Sequence, residues 1–397
     1  MQSSIYSIIS MLTTMILLIH HSLADCECGY SATVSKTSSQ ASTTSTTSSP
    51  DTLQQQQQQQ KDEIFVFTEL IEANFANITD LSKETDWLRQ EFNRSATQAR
   101  GKFGQMFAVD NIEAGRGDED DGKGLQIMVR SGVVEDMLGS GEIDSARVDI
   151  SCGSFRSSLR LTDVAGTVSA FFWYFNDTQE IDMEFLSKDF HAENSSYPVQ
   201  LVLQSQASAK AGFDASGTPG HAVANLPFDP RTDFHEYRFD FVPGRVVFYA
   251  DGTVLAAMDD PDSVPSPSSA GHVALSQWSN GNPLWSGGPP AKDAAMEVRY
   301  VKAYFNSTDG KRRDDAAGRC VDPAADGAVC PIPAVTADDD SAAGFFFTGQ
   351  KNMSGGQTVA DDNGVSGGDE DGVVGLARLR STLWMWIGLP LLVAVCL

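Results

Sequence analysis

The chain has 397 residues, a formal net charge of −25 and 41% hydrophobic residues. So acidic a balance excludes nucleic acid as a partner, because phosphates need a basic surface. The apolar content is enough for a globular core, and the length fits one sizeable domain with flanking segments.

Residues 1–24 read as a cleaved secretory signal. An apolar core runs from Ile8 to Ile19, and Ser22-Leu23-Ala24 supplies small residues at the cleavage positions. Next come Cys26-Glu27-Cys28-Gly29-Tyr30, a Ser/Thr-rich run to Ser49, and seven glutamines from Gln54 to Gln60. Such composition buries no core, so 25–62 reads as a flexible spacer. From Glu63 the pattern changes to short apolar or alternating runs separated by Gly, Pro, Asn and Asp. They are Ile64–Leu70, Phe103–Val109, Leu125–Arg130, Ala146–Ile150, Ser154–Leu161, Val168–Phe175, Glu180–Leu186, Val199–Gln204, Tyr237–Phe241, Val246–Tyr249, His272–Gln277 and Met296–Phe305. Runs of that length and spacing predict an all-β sandwich of two antiparallel sheets over 63–308. Helical periodicity is confined to Leu81–Phe92, where a turn or two is expected.

Residues 309–366 are acidic and Gly-rich and read as a linker, with Cys320 and Cys330 spaced to close a short loop. Residues 367–397 read as a GPI-attachment propeptide. The small triplet Ser366-Gly367-Gly368 is followed by a polar spacer and the apolar tail Leu383–Leu397. A short tail anchor is the runner-up, and either way the domain faces the outside, at the plasma-membrane outer face or cell wall. Six sequons, at Asn77, Asn93, Asn176, Asn194, Asn306 and Asn352, fit a glycosylated surface protein. Once Cys396 leaves with the tail, five cysteines remain, so one thiol stays unpaired or pairs between molecules. The four histidines beyond the signal (His191, His221, His235 and His272) are scattered singly, and no zinc-type spacing occurs. No metal or other cofactor is expected, and neither is self-association.

The most informative stretch is Gln179-Glu180-Ile181-Asp182-Met183-Glu184-Phe185-Leu186. On a strand, its period of two puts three carboxylates on one face and three apolar side chains on the other. A solvated face would mix in Thr, Ser, Lys and Gln, and three like charges side by side disfavour joint ionisation. The arrangement suits a site. Glu180 and Glu184 lie about 13 Å apart at Cα from the ~3.3 Å rise per residue. Side chains leaning together bring their carboxyls to roughly 5–6 Å, near the spacing of retaining glycosidases. A third acid between them holds the nucleophile and raises the proton affinity of the acid.

This strand and the preceding Gly166-Thr167-Val168-Ser169-Ala170-Phe171-Phe172-Trp173-Tyr174 together resemble glycoside hydrolase family 16. Phe234-His235-Glu236-Tyr237, Phe248-Tyr249-Ala250-Asp251-Gly252 and Met296–Tyr304 extend the likeness over roughly Ile64 to Asn306. One residue between each acid places the chain with the lichenase-like and fungal wall-glucan members rather than the bulged laminarinase-like ones. The resemblance implies a jelly-roll sandwich with a glycan cleft on its concave face. It implies Glu180 as nucleophile, Asp182 as its helper and Glu184 as acid/base. It also implies a secreted, retaining, endo-acting enzyme on β-glucans, either a hydrolase or a transglycosylase. A non-catalytic glycan-binding sandwich is the remaining alternative, and retention of all three acids argues against it. The resemblance allows a structural calcium ion on the convex sheet without naming ligands.

Phe172 and Tyr174 match cleft aromatics of the family, which leaves Trp173, of opposite parity, in the core. Gln200, Trp278 and Trp285 are further substrate-binding candidates; the two tryptophans sit in a Gly/Pro-rich stretch suited to stacking on sugar faces. Three departures stand out. Thr178-Gln179 replaces a Trp-Asp, Arg156 stands where a Glu is common after the Tyr-Gly of an earlier strand, and Val202 stands where an Asn is common.

Overall fold

The computed structural model describes residues 25–36, 62–116 and 124–353. The signal and GPI-propeptide expectations, and most of the Ser/Thr/Gln run, lie outside the described residues. The domain consists of three layers. The inner sheet has ten strands. Its main path runs His221–Asn225, Pro198–Gln204, Gln179–Leu186, Val168–Asn176, His272–Trp278, Met137–Ser145, Gly104–Phe107 and Phe92–Arg94. The second sheet has eight strands, centred on Ile150–Arg160 between His235–Val242 and Ala294–Ser307. A three-stranded sheet, Glu63–Phe67, Gly29–Val34 and Val329–Pro331, covers the outer face of the second.

Alternation in sequence builds the main core. Phe171, Trp173, Ile181, Met183 and Phe185 point inward from the aromatic strand (Val168–Asn176) and the acid strand (Gln179–Leu186), all fully buried. They meet Phe239, Phe241 and Tyr237 of the second sheet at ring-centroid distances of 5.0, 5.2 and 4.6 Å. Trp173 is core as its parity predicts, and its indole N–H donates to the Ile150 carbonyl at 3.0 Å. Gly271 leaves room for that ring, since a Cβ there would lie 2.4 Å from it.

Several boundary expectations are corrected. The stretch read as a spacer contains a strand, because Gly29–Val34 pairs antiparallel with Glu63–Phe67 and parallel with Val329–Pro331. Tyr30, Ala32, Val34 and Phe67 form a second small core with Val247, Tyr304 and Phe347. The expected Cys320–Cys330 loop does not form; Cys26 pairs with Cys330 and Cys28 with Cys320. Among the described residues Cys152 is the one free thiol, buried in the main core. The stretch read as a linker carries the helix Gly310–Arg319 and then lies along the outer face of the second sheet. There Lys302 Nζ donates to the carbonyls of Ala342, Ala343 and Phe345 at 3.1, 3.0 and 2.8 Å. Arg156 donates to Pro333 O at 2.7 Å and Arg238 to Thr33 O at 2.9 Å. These buried cations replace backbone partners that the loops would otherwise lack. Leu81–Phe92 forms turns and the strand Trp87–Arg89 rather than helix, since Trp87 is drawn into the core beside Phe75. Ala146–Ile150 is mainly a connection, flanked by the strands Met137–Ser145 and Ile150–Arg160.

Candidate active site

The exposed face of the inner sheet floors a cleft of about 680 Å³ that crosses the strands from Phe92–Arg94 to His221. Register aligns its side chains in rows. Glu184 lies beside Ala170, then Ser276, then Glu142; Asp182 lies beside Phe172, then Ala274, then Asp144; Glu180 lies beside Tyr174, then His272. Cross-strand partners share a face, so the three acids of the acid strand and the two of Met137–Ser145 all face the cleft. Neighbouring strands lie about 4.8 Å apart, so Glu142 stands about 14 Å from the acid strand.

The three carboxyls differ in their surroundings. Asp182 is buried, while Glu180 and Glu184 are half-buried. Burial raises the proton affinity of all three, and for Glu180 and Asp182 their like-charged neighbours raise it further. Asp182 hydrogen-bonds Glu180, which favours the ionised Glu180 and the protonated Asp182. Glu184 is pushed up to about 7 by burial, against a hydrogen bond from the Trp285 side chain and the positive charge of Arg100. One end of the acid strand is anchored by Gln179 Oε1, which accepts from Ser269 Oγ at 2.6 Å and Ser266 N at 2.9 Å.

Of the five substrate-binding candidates, four line the cleft: Phe172, Tyr174, Trp278 and Trp285. Tyr174 O–H donates to Asp177 at 2.8 Å and its ring lies 5.6 Å from that of His272. Gln200, although paired with Glu184 across the sheet, does not line the cleft; its Oε1 is 3.0 Å from His221 Nε2. Val202 faces the cleft across from Asp182.

Sequence reasoning missed Glu142, Asp144, Arg94, Arg100, His221 and His272, all of which line the cleft. Arg156 is not the position matching the family's glutamate, for it lies buried on the outer face of the second sheet. The glutamate that a neighbouring strand brings to the cleft is Glu142. The available signal was Leu138-Gly139-Ser140-Gly141-Glu142-Ile143-Asp144, whose glycines interrupt the apolar alternation of a strand. Those glycines permit close packing: a Cβ on Gly141 would sit 2.9 Å from Ile127, and one on Gly139 3.0 Å from Arg130. Among the described residues no group of three or more His, Cys, Asp and Glu converges to hold a metal ion.

Glu142 is pushed up to about 7 by burial, and the same cause raises Asp144, which also feels the Glu142 charge. A carboxyl whose folded pKa exceeds its unfolded value stabilises the fold below the unfolded pKa, and that contribution is lost as pH rises through the folded one. Glu142→Gln is therefore expected to flatten the loss of stability between pH 5 and 8, by up to about 3 kcal/mol at 1.36 kcal/mol per pKa unit. Urea denaturation at several pH values measures this. An unchanged pH dependence would mean that Glu142 ionises freely in the fold.

The profile of glycosyl hydrolases family 16 matches residues 105–302, a span holding the acid strand and most of both large sheets. The chain belongs to this family. It is 28% identical over 174 residues to the beta-glucanase of Paenibacillus polymyxa, an alignment covering 39% of this chain and 65% of that protein. It is 24% identical over 161 residues to Crh-like protein 1 of Aspergillus fumigatus, covering 38% and 42% respectively. In both pairings the chain spans less than two thirds of the relative's length. The beta-glucanase structure of Bacillus licheniformis superposes with a TM-score of 0.45 at 18% identity, over 59% of this chain and 97% of that one.

Proposed function

We propose that the protein is a retaining, endo-acting glycosidase on β-glucans of the β-1,3/1,4 type. The observation that carries this reading is the row of three carboxyls, Glu180, Asp182 and Glu184, on the floor of a cleft lined by aromatic side chains. In this reading Glu180, ionised and held by the Asp182 proton, attacks the anomeric carbon. Glu184 gives its proton to the departing glycosidic oxygen, leaving a glycosyl ester on Glu180. Glu184, now ionised, takes a proton from the incoming hydroxyl, which adds to the anomeric carbon and frees Glu180. Phe172, Tyr174, Trp278 and Trp285 offer apolar faces for sugar rings.

Water as acceptor gives hydrolysis, and a second glucan gives transglycosylation by the same chemistry. Mass spectrometry of products from defined β-glucan oligosaccharides separates the two, because only transfer lengthens chains. Anomeric NMR of the first product is expected to show retention. No bond cleavage or transfer on any β-1,3- or β-1,4-linked glucan, or inversion at the anomeric carbon, would reject the reading.

The two disulfides suit an oxidising compartment, and the sequence at both ends suits export and a GPI anchor. The substrate would then be met at the cell surface or wall. Treatment of membranes with a phosphatidylinositol-specific phospholipase is expected to release the protein. A peptide crossing Ser366 to Leu397 in mature material would count against the anchor.

A further inference from the structure

The loops at the two ends of the acid strand meet above it. At the Glu184 end, Arg100 ends the short helix Ala96–Ala99 in a left-handed conformation, with φ +55°. Its backbone is fixed to the loop that carries Trp285: Asn280 Nδ2 donates to Ala99 O at 2.6 Å and Asn282 Nδ2 to Arg100 O at 3.3 Å. Gly101 permits the approach, since a Cβ there would lie 2.3 Å from the Asn280 carbonyl. At the Glu180 end, Gln204 pairs with Glu180, and the chain then passes through the helix Gln206–Lys210 to Phe213. Phe213 also has a positive φ, +66°, a conformation costly for an aromatic residue and cheap for glycine. Its N–H donates to Ser208 O at 2.7 Å. A phenylalanine held there is accounted for by what its ring touches. The Arg100 guanidinium lies 4.8 Å from the ring centroid, and both residues line the cleft.

The cleft runs across the strands, so loops at opposite strand ends form its two walls. The Arg100–Phe213 contact joins wall to wall, and the Arg100 charge acts on both Asp182 and Glu184 beneath it. We propose that Arg100 and Phe213 form a clasp over the acids that must open to admit the middle of a glucan chain, so that Phe213 sets the preference between polymer and short oligosaccharide. A cation–π pair at an exposed rim is weak enough to open in each catalytic cycle. Short chains thread beneath it from an end, whereas long chains wait for it to open.

This inference rests on the glucan-processing reading, and the test separates the two. In the full chain, Phe213→Gly is expected to raise the ratio of kcat/KM on polymeric β-1,3/1,4-glucan to that on a β-glucan tetrasaccharide at least fivefold. Phe213→Tyr, which keeps a ring for Arg100, is expected to hold the wild-type ratio. A ratio within twofold of wild type in Phe213→Gly overturns the clasp. If the wild-type protein processes no β-glucan, the proposed function fails and acrylamide quenching of tryptophan fluorescence decides the clasp alone. Trp278 and Trp285 lie in the cleft, and the tail tryptophans are common to all variants. Phe213→Gly is expected to raise the quenching constant at least 1.5-fold over Phe213→Tyr, and equal constants overturn the clasp.

Discussion

Glu180→Ala is expected to leave a folded protein whose turnover of β-glucan falls by about three orders of magnitude or more, with partial recovery in azide. A small anion replaces the missing carboxylate at the anomeric carbon, so the rescued product is a glycosyl azide of inverted configuration. Glu184→Gln is expected to cost about 10²–10⁴ in rate, the usual contribution of a positioned general acid, with no anomeric inversion. Circular dichroism checks the fold, and NMR assigns the anomer. Wild-type turnover by either variant, with contaminating enzyme excluded, would remove the double displacement from consideration.

The pH profile follows from the same site. Burial pushes Glu180 up to about 8 and Glu184 up to about 7, and the two titrate together as a pair. One proton must stay on Glu184 for it to act, so activity should fall as pH rises through that range. The Trp285 hydrogen bond favours the ionised form of Glu184, so Trp285→Phe should move the upper limb to higher pH. A fixed limb would mean that another group controls it.

The two disulfides should show strong non-additivity. They are nested, Cys26–Cys330 outside Cys28–Cys320. With one kept, the other closes only the short loop between them, a cross-link worth about 3 kcal/mol by chain entropy. With both gone, a loop of nearly the whole domain opens. Replacing one pair with serines should therefore cost about 3 kcal/mol, and replacing both about 8 kcal/mol, well over twice as much. Denaturant titration reads the totals, and limited proteolysis between Pro331 and Met353 reads where the fold opens. Equal and additive losses would show that the staples act on separate regions.

The site's centre was legible because strand alternation is a local property. Glu180, Asp182 and Glu184 could be read as one face without knowing the partner strands, and Trp173 could be set opposite Tyr174 by parity alone. The far end of the cleft was not legible. Glu142 and Asp144 sit in Met137–Ser145, where glycines chosen for close packing imitate a loop. Gln200 had the right parity and was claimed by His221, a contact made only after the chain turns back at Gly220. The outer layer failed for a related reason. Gly29–Val34 is short and isolated in sequence, and its partners Phe67, Tyr304 and Phe347 arrive from far along the chain. The disulfides likewise join cysteines far apart in the chain, at separations of 304 and 292, which spacing does not reveal.

Asp25 N donates to Asn352 O at 2.6 Å, so the described chain begins and ends side by side, with the small outer sheet between them and the cleft. Traction applied to the two ends therefore does not stretch the sandwich. It first peels Pro331–Met353 from the Lys302 contacts and then meets the Cys26–Cys330 bond, where the load passes from one end of the chain to the other. The intervening 304 residues of sequence separation, acid strand included, are mechanically bypassed. A domain wired in this way keeps the alignment of its three acids when its two ends are pulled apart.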